Sequence, residues 1–170
     1  VWTMEGIIAD RFREGRVFVV GDAAHKHPPT SGLGLNSAIH DVQNLCWKLA
    51  MVLAGHAGDG LLDTVDPERR PTIERNIANS IACTEARFRL DAALGLSDDK
   101  SPEENWAALS VIWDERHPEH LERRDLVNNA LAAQSLEFHH HGLEFGFTCA
   151  SAAVVDDGSP TREPLDAVRL

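Results

Sequence analysis

The stretch VFVVGDAAHKHPPTSGLGLN, from Val17 to Asn36, joins a short apolar run to a loop rich in residue types that bind ligands. The run at residues 17–20 is closed by Gly21, which is typical of a strand buried on both faces of a parallel or mixed sheet. We therefore predict a central strand there. Ligands bind at the carboxyl ends of strands in open α/β sheets, so the following loop lies where a ligand site is expected.

The loop contains groups suited to a polar ligand with negative charge. Gly21 lets the backbone come close, and the carboxylate of Asp22 can accept hydrogen bonds from ligand hydroxyl groups, such as those of a sugar or polyol. Pro28 stiffens the segment that follows. Residues 32–34 (GLG) can turn the backbone sharply, so that their amides and the N-terminus of the next helix face an anion. An anionic ring or a phosphate would suit such a site.

The segment after the loop predicts an amphipathic helix. Between Leu35 and Leu53, apolar residues recur at steps of three and four, which places them on one helical face that we expect to be buried. Asn36 or Ser37 can cap the start of this helix, and Gly55 can end it.

Three further helix starts are marked by proline. Residues 66–68 (DPE) predict a long helix with Asp66 as its N-cap, residues 101–104 (SPEE) predict a shorter helix, and Pro118 opens another. Residues 145–155 are typical of extended chain and run into a DDG turn signal, so we predict a late strand or hairpin there.

Together these elements predict an α/β fold class in the form of an incomplete Rossmann-like unit: one sheet strand, several helices, then a late strand or hairpin. A single parallel strand needs neighbours for its backbone hydrogen bonds, and this sequence offers few candidates to supply them. We therefore expect the missing strands in sequence outside this chain. We expect a first part at residues 1–95 and a second, helical part with the late strand at residues 96–170.

The composition argues against several classes of partner. The 170 residues include 16 lysines and arginines against 27 aspartates and glutamates, a net charge of −11, which disfavours nucleic acid and anionic membranes. No stretch approaches the roughly 20 apolar residues of a membrane span, and the N-terminus has no signal-peptide pattern. The cysteines Cys46, Cys83 and Cys149 lack CxxC spacing, which favours a reduced, cytoplasmic protein.

One long segment of the sequence resembles a motif of a known protein family. Residues 15–55, GRVFVVGDAAHKHPPTSGLGLNSAIHDVQNLCWKLAMVLAG, resemble the second flavin-binding motif of the FAD-dependent aromatic hydroxylases, the single-component flavoprotein monooxygenases. The resemblance continues through residues 61–64 (LLDT), residues 67–71 (PERRP) and residues 137–158, EFHHHGLEFGFTCASAAVVDDG. This last segment is similar to the phenol and chlorophenol hydroxylase branch.

The resemblance implies a cofactor site. Asp22 is expected to hold a ribityl hydroxyl of FAD, and Pro28 with the loop that follows is expected beside the isoalloxazine, where backbone amides stabilise negative charge at its N1 and O2 edge. The implied cofactor-binding residues are Gly21, Asp22, Pro28, Gly32, Leu33, Gly34, Leu35 and Asn36.

The resemblance also implies a reaction. In the family, NAD(P)H reduces the flavin, O₂ adds to form a C4a-hydroperoxide, and the distal oxygen attacks an activated phenol ring. The expected partners are therefore a small aromatic substrate and O₂. The resemblance assigns no catalytic residue in this chain.

Two departures from the family pattern bear on how much of the enzyme is present. No GxGxxG follows a strand, so the adenine and pyrophosphate half of the FAD site is absent, as is the family motif with a DG pair. We therefore expect a carboxyl-side fragment of the FAD-binding domain, which by itself binds FAD weakly or not at all. Its expected macromolecular partner is the upstream part of the same enzyme or a second copy.

Two other functions compete with this interpretation. The GDxxH-like spacing of Asp22, His25 and His27 also resembles metal-dependent phosphoesterases, although further ligand motifs of those enzymes are not evident. A non-catalytic helical interaction module is the third hypothesis, and the acidic surface would permit it. Bound flavin, bound metal and neither would distinguish the three.

Overall fold

A computed structural model describes residues 3–139, 141–146 and 148–158 of the chain. The fold is rich in helices, and its strands are short. The helices are α1 (Leu33–Leu53), α2 (Val65–Leu94), α3 (Pro102–Ser110), α4 (His120–Gln134) and α5 (His141–Phe145), with 3₁₀ turns at Gly21–Ala23, Thr30–Gly32, Asp59–Thr64 and Ser135–Glu137. The strands are β1 (Ile7–Ile8), β2 (Arg13–Glu14), β3 (Val17–Phe18) and β4 (His25–Lys26).

The four strands form two antiparallel pairs. In one pair, β1 runs beside β4, with Ile8 opposite His25. In the other, β2 runs beside β3, with Arg13 opposite Phe18. The first pair brings the loop that precedes α1 against the start of the chain.

The prediction of a buried central strand at residues 17–20 is wrong. The strand β3 covers only two residues, and Val17 is 66% exposed. Gly15 has a left-handed φ of 58°, which turns the chain back so that β2 supplies the antiparallel partner of β3. A local hairpin therefore satisfies backbone groups that we had expected to pair within a parallel sheet.

The prediction of a late strand or hairpin at residues 145–155 is also wrong for the described residues. The helix α5 occupies the start of this range, and none of residues 148–158 is in a strand. The amide of Val154 donates to the carbonyl of Ser151 (3.1 Å), and the hydroxyl of Ser151 accepts from the amide of Ala153 (3.2 Å). Ser151 thus bends the chain into a turn.

The helix α1 begins earlier than its predicted caps. Its N-cap is Gly32, in a left-handed conformation (φ 64°), and no side chain caps it. Asn36, one of the two predicted caps, lies inside the helix and donates from its side chain to the carbonyl of Gly32 (3.3 Å). The predicted end is confirmed, because α1 stops at Leu53 and Gly55 adopts a φ of 75°.

The buried face of α1 is the opposite of the predicted one. Leu35, Ile39 and Val42 are 74%, 56% and 47% exposed, so the apolar face lies outside. The buried positions are largely polar and repeat with helical spacing: Leu33, Ser37, Asp41, Asn44, Leu45 and Lys48. The prediction fails because hydropathy alone does not show that a neighbouring helix offers polar partners.

Those partners come from α2. The carboxylate of Glu68 accepts from Lys48 (2.7 Å) and Asn44 (2.8 Å), and it also accepts from the hydroxyl of Ser151 (2.6 Å). Burial alone raises the pKa of Glu68, but the hydrogen bonds from Lys48, Ser151 and Asn44 outweigh it and hold the pKa below its usual value. Glu68 is therefore an ionised carboxylate at neutral pH, enclosed by donors.

The other helix starts are mostly as predicted. The helix α2 begins at Val65 and runs through a proline at position 71, so Asp66 is its second residue rather than its N-cap. The predicted start of α3 is confirmed, and it has a capping box: the amide of Glu104 donates to Ser101, and the amide of Ser101 donates to the side chain of Glu104. The helix α4 begins two residues after Pro118.

The chain divides into two compact units. The first contains the described residues up to Ile81 and from 141 onwards, and the second is Ala82–His139. Each has its own apolar core: Phe12, Ala24, Ile73, Leu45, Leu62 and Val65 in the first, and Ala93, Ile112, Val127 and Ala130 in the second. The domain division at residues 95 and 96 remains a prediction.

Within the described residues, no helix combines the length and apolar character needed to cross a bilayer.

The buried ion pair between α1 and α2 gives a first prediction. Lys48→Met leaves Glu68 buried without its cation, so we expect a loss of roughly 3–5 kcal/mol in the free energy of unfolding. The double variant Lys48→Met/Glu68→Gln should lose less than the sum of the two single variants, because the partners interact directly. Chemical denaturation measures all three values.

The exposed ion pair of Arg89 with Glu85, also on α2, is the matched control. Its atoms lie 3.7 Å apart and both side chains are mostly exposed, so Arg89→Met should leave the free energy of unfolding unchanged within error. Equal losses from Lys48→Met and Arg89→Met would contradict a special role for the buried pair.

Candidate functional site

The residues expected to bind a cofactor lie in two turns that flank β4, at Pro28 and in the first turn of α1. Gly21 and Asp22 belong to the first turn, and Gly32 ends the second, directly before the first turn of α1. Gly21 is buried with a φ of 56°, and a Cβ there would lie 3.1 Å from the Cβ of Ala38. Only glycine therefore lets the first turn pack this closely on α1.

The expected cofactor-binding residues differ in their exposure to solvent. The side chains of Asp22, Leu35 and Asn36 are exposed, so they can meet a ligand directly. Pro28 and Leu33 are buried. The expected cofactor-binding residues thus lie on one stretch of chain but differ in how far they are exposed.

The second turn is held against α2 by hydroxyl groups. Thr30 donates to the carbonyl of Ser80 (2.5 Å), and the hydroxyls of Ser31 and Ser80 share a hydrogen bond (3.2 Å). Ser31 has a φ of 65°, the only left-handed non-glycine residue among those described. Such a conformation costs free energy and is often found at ligand sites. The sequence analysis did not single out Ser31.

The first turn is held by the carboxylate of Asp41 on α1. It accepts from the amide of Gly21 (3.1 Å), from Nε2 of His25 (2.5 Å) and from Nε of Arg69 (2.9 Å). Burial raises the pKa of Asp41, but these three hydrogen bonds together hold it below its usual value. One ionised carboxylate therefore joins the first turn, β4, α1 and α2.

The hydrogen-bonded chain extends from His25 to His27. Nδ1 of His25 lies 3.0 Å from Nε2 of His27, and the two rings meet edge to face. Burial, and then the neighbouring His25, lower the pKa of His27 to about 4. His27 is therefore a neutral imidazole at physiological pH.

Sequence reasoning missed Asp41 and Arg69 as parts of this site. They lie 20 and 48 residues after Gly21, and their roles depend on how α1 packs on α2. A signal was present, because polar residues at Ser37, Asp41, Asn44 and Lys48 form a stripe of helical spacing within an otherwise apolar segment.

The described residues do not form a metal site. No group of three or more histidine, cysteine, aspartate or glutamate side chains among them could hold an ion. His25 and His27 instead bond to each other and to Asp41. The phosphoesterase hypothesis, which needs Asp22, His25 and His27 as ligands, therefore has no support from this geometry.

A cavity of about 240 Å³ opens beside the first two turns of α1. It is bounded by α1, α2 and α5, with Asn36, Arg69 and Glu144 in its walls. This volume is below the range of about 300–1,000 Å³ that is typical of ligand pockets. The described residues therefore offer a loop and a helix end as one wall of a larger site, and not an enclosed pocket for a dinucleotide.

Comparisons with known proteins agree with this arrangement. Residues 1–80 match the family described as FAD binding domain. A 2,4-dichlorophenol 6-monooxygenase of Delftia acidovorans is 40% identical over 159 residues, which cover 94% of this chain and 27% of the relative. A phenol 2-monooxygenase of Pseudomonas sp. (strain EST1001) is 38% identical over 169 residues, 97% of this chain and 28% of the relative.

Solved structures show the same relationship. The flavin-dependent monooxygenase PieE, in complex with FAD and substrate, matches with a TM-score of 0.85 and 40% identity, over 98% of this chain and 29% of that one. The rebeccamycin biosynthetic enzyme RebC with reduced flavin matches with a TM-score of 0.73 and 30% identity, over 95% of this chain and 28% of that one.

Residues 1–80 thus match an FAD-binding domain. The chain is similar to flavin-dependent monooxygenases, and its similarity to phenol and dichlorophenol hydroxylases confirms the resemblance found in the sequence. The predicted fold class, an incomplete FAD-binding α/β unit, is confirmed at the level of the fold, although the strands differ as described. The chain spans between a quarter and a third of the length of these relatives.

The lowered pKa of His27 predicts a loss of stability on the acid side. An unfolded histidine titrates near pH 6.5 and His27 in the folded protein near 4, so the unfolded state binds more protons between these values. The free energy of unfolding should therefore be highest above about pH 6.5 and should fall as the pH drops toward 4. Denaturation at a series of pH values measures this profile.

His27→Gln should flatten the profile over that interval, because the titrating group is gone. His56→Gln, at an exposed position, is the control and should leave the profile unchanged. A profile for His27→Gln that matches the original protein would show that another group titrates.

Proposed function

We propose that this chain supplies the isoalloxazine side of the FAD site in a monooxygenase that hydroxylates a phenolic or related aromatic compound with NAD(P)H and O₂. The main support is the loop from Gly21 to Asn36, which presents an exposed carboxylate and an uncapped helix start on a tightly held backbone. The names of the aligned relatives indicate the class of substrate.

The residues of the loop fit the ring and ribityl part of FAD. The exposed carboxylate of Asp22 can accept hydrogen bonds from ribityl hydroxyls. Bound FAD would supply the redox chemistry that activates O₂, which amino-acid side chains cannot provide. The part of this chain is to bind the cofactor, to orient it and to stabilise negative charge on its ring.

The start of α1 is suited to negative charge. Its first turn contains no acidic residue, and its N-cap, Gly32, makes no side-chain capping hydrogen bond. Gly32 is left-handed and Leu33 right-handed, and alternating conformations of this kind point successive N–H groups toward one side. A Cβ at Gly34 would have only His27 at 4.0 Å as a neighbour, so a flat ring has room to approach. These amides would stabilise charge at the N1 and O2 edge of the flavin.

The Asp41 network would hold this loop in its binding conformation. By fixing the amide of Gly21, it sets the direction in which the next residue, Asp22, leaves the turn. Because Asp41 is also bonded to Arg69 on α2, the carboxylate that holds the first turn is itself fixed by a buried ion pair. Preorganisation of this kind lowers the entropic cost of binding.

The exposed apolar face of α1 indicates what else the protein needs. It consists of Leu35, Ile39, Val42 and Leu53. Apolar side chains in a continuous helical stripe are typical of a surface that packs against protein. The relatives are three to four times longer than this chain, since it covers 27–29% of them. We propose that this face packs against the remainder of the FAD-binding domain, and that the assembled enzyme works in the cytoplasm.

Asp22→Ala tests the cofactor site. In protein that includes the coding sequence flanking residues 1–170, we expect FAD affinity to fall about tenfold or more, because hydrogen bonds to a charged group contribute about 1.5–3 kcal/mol. Titration of FAD, followed by its visible absorption, measures the change.

Asp98→Ala, at an exposed aspartate of the second unit, is the matched control and should leave FAD affinity unchanged. If the unaltered protein binds no FAD, the proposal fails. If Asp22→Ala binds FAD as tightly as the unaltered protein, Asp22 has no part in the site.

Ile39→Glu tests the apolar face of α1. A buried carboxylate in an apolar contact is costly, so the flanked protein should lose FAD retention and thermal stability. Leu121→Glu places the same charge on an exposed apolar position of α4 and should change neither property. Sedimentation of the chain of 170 residues tests the alternative. If that chain forms a dimer and Ile39→Glu dissociates it, the apolar face binds a second copy of the chain, and the proposed packing is wrong.

A further inference from the structure

The hydrogen-bonded chain from Arg69 through Asp41 and His25 ends at an atom that has no partner. Nδ1 of His27 is buried, and none of the described residues forms a hydrogen bond with it. A buried polar nitrogen without a partner costs about 1–3 kcal/mol. Such an atom at the end of an ordered chain indicates a ligand group that completes it.

The protonation of the hydrogen-bonded chain determines whether the missing ligand group is a donor or an acceptor. The ionised carboxylate of Asp41 is already paired with the guanidinium of Arg69, so a second buried cation at His25 would be uncompensated. We therefore place the proton that His25 shares with Asp41 on Nε2, where it donates to the carboxylate. Nδ1 of His25 is then an acceptor.

The same reasoning determines which nitrogen of His27 carries the proton. Its Nε2 must donate to Nδ1 of His25, since that atom is an acceptor 3.0 Å away. A neutral imidazole has one proton, so Nδ1 of His27 is an acceptor with a free lone pair. The low pKa of His27, about 4, agrees with a neutral ring.

The position of His27 places this acceptor beside the cofactor loop. Its Cβ lies 4.0 Å from the point where a side chain at Gly34 would begin, at the uncapped start of α1. His27 as a whole residue is half-buried, so part of it reaches the surface next to the loop. A lone pair there repels an anion and accepts a hydrogen bond from an N–H or O–H group.

We propose that His27 is a further binding residue, whose Nδ1 accepts a hydrogen bond from a neutral N–H or O–H group of a ring held against the start of α1. The inference rests on the proposed function, under which two rings could donate: the N–H of the flavin ring and the hydroxyl of a phenolic substrate. Arg69, Asp41 and His25 act as positioning residues that fix the tautomer of His27.

A pair of substitutions separates the two nitrogens of His27. His27→Gln keeps a donor near the position of Nε2, so it can still bond to His25, but it loses the acceptor at Nδ1. His27→Asn keeps an acceptor near the position of Nδ1 but cannot reach His25. The measurements are dissociation constants for FAD and, in the FAD-loaded protein, for 2,4-dichlorophenol from its effect on the flavin spectrum.

We expect His27→Gln to weaken one of the two ligands about fivefold or more, because a donor is left unpaired, and His27→Asn to stay within about threefold of the original protein. Weaker FAD binding identifies the flavin as the donor, and weaker dichlorophenol binding alone identifies the substrate. ¹⁵N NMR of the protein before loading should show Nδ1 of His27 without a proton, and its resonance should shift when the donor binds.

Three results would overturn the inference. The first is a His27→Gln protein with original affinity for both ligands, and the second is a His27→Asn protein as impaired as His27→Gln. The third is a protonated Nδ1 in the NMR spectrum. In each case the unaltered protein would still bind FAD, so the proposed function survives. If the unaltered protein binds no FAD, the proposed function fails and this inference with it.

Discussion

The carboxylate of Asp41 is the group on which the rest of the site depends. It is almost fully buried and accepts from a backbone amide, an imidazole and a guanidinium that belong to three different segments. Without it, the guanidinium of Arg69 would be a buried charge with no carboxylate, and the amide of Gly21 would lack an acceptor. The conformation of the loop is therefore coupled to the packing of α1 on α2.

The contact between these helices is unusual because its specific part is polar. Asp41 with Arg69, and Lys48 with Glu68, set the register of α1 against α2 at two points along the helix. Apolar side chains would tolerate small slips between helices, whereas ion pairs with fixed hydrogen-bond geometry do not. Because α1 starts at the cofactor loop, a fixed register also fixes the position of its N-terminal amides.

Local features of the fold could be predicted from the sequence, and features that depend on distant partners could not. The end of α1 at Gly55 and the start of α3 at Ser101 are confirmed, because glycine geometry and capping are local. The loop from Gly21 to Asn36 was recognised because its residue types and spacing are distinctive. The strand at Val17 and the buried face of α1 were wrong, since hydropathy cannot show which segment pairs with which.

The two faces of α1 have a consequence for how this helix tolerates substitution. Helices at a protein surface usually have a solvent side where most changes are neutral. In α1 one side bonds to α2, and part of the other is an apolar stripe suited to packing against protein, so less of the circumference is left for water. A saturation scan of α1 in the whole enzyme would therefore resemble that of a core helix, although its sequence has the alternating polarity of a surface one.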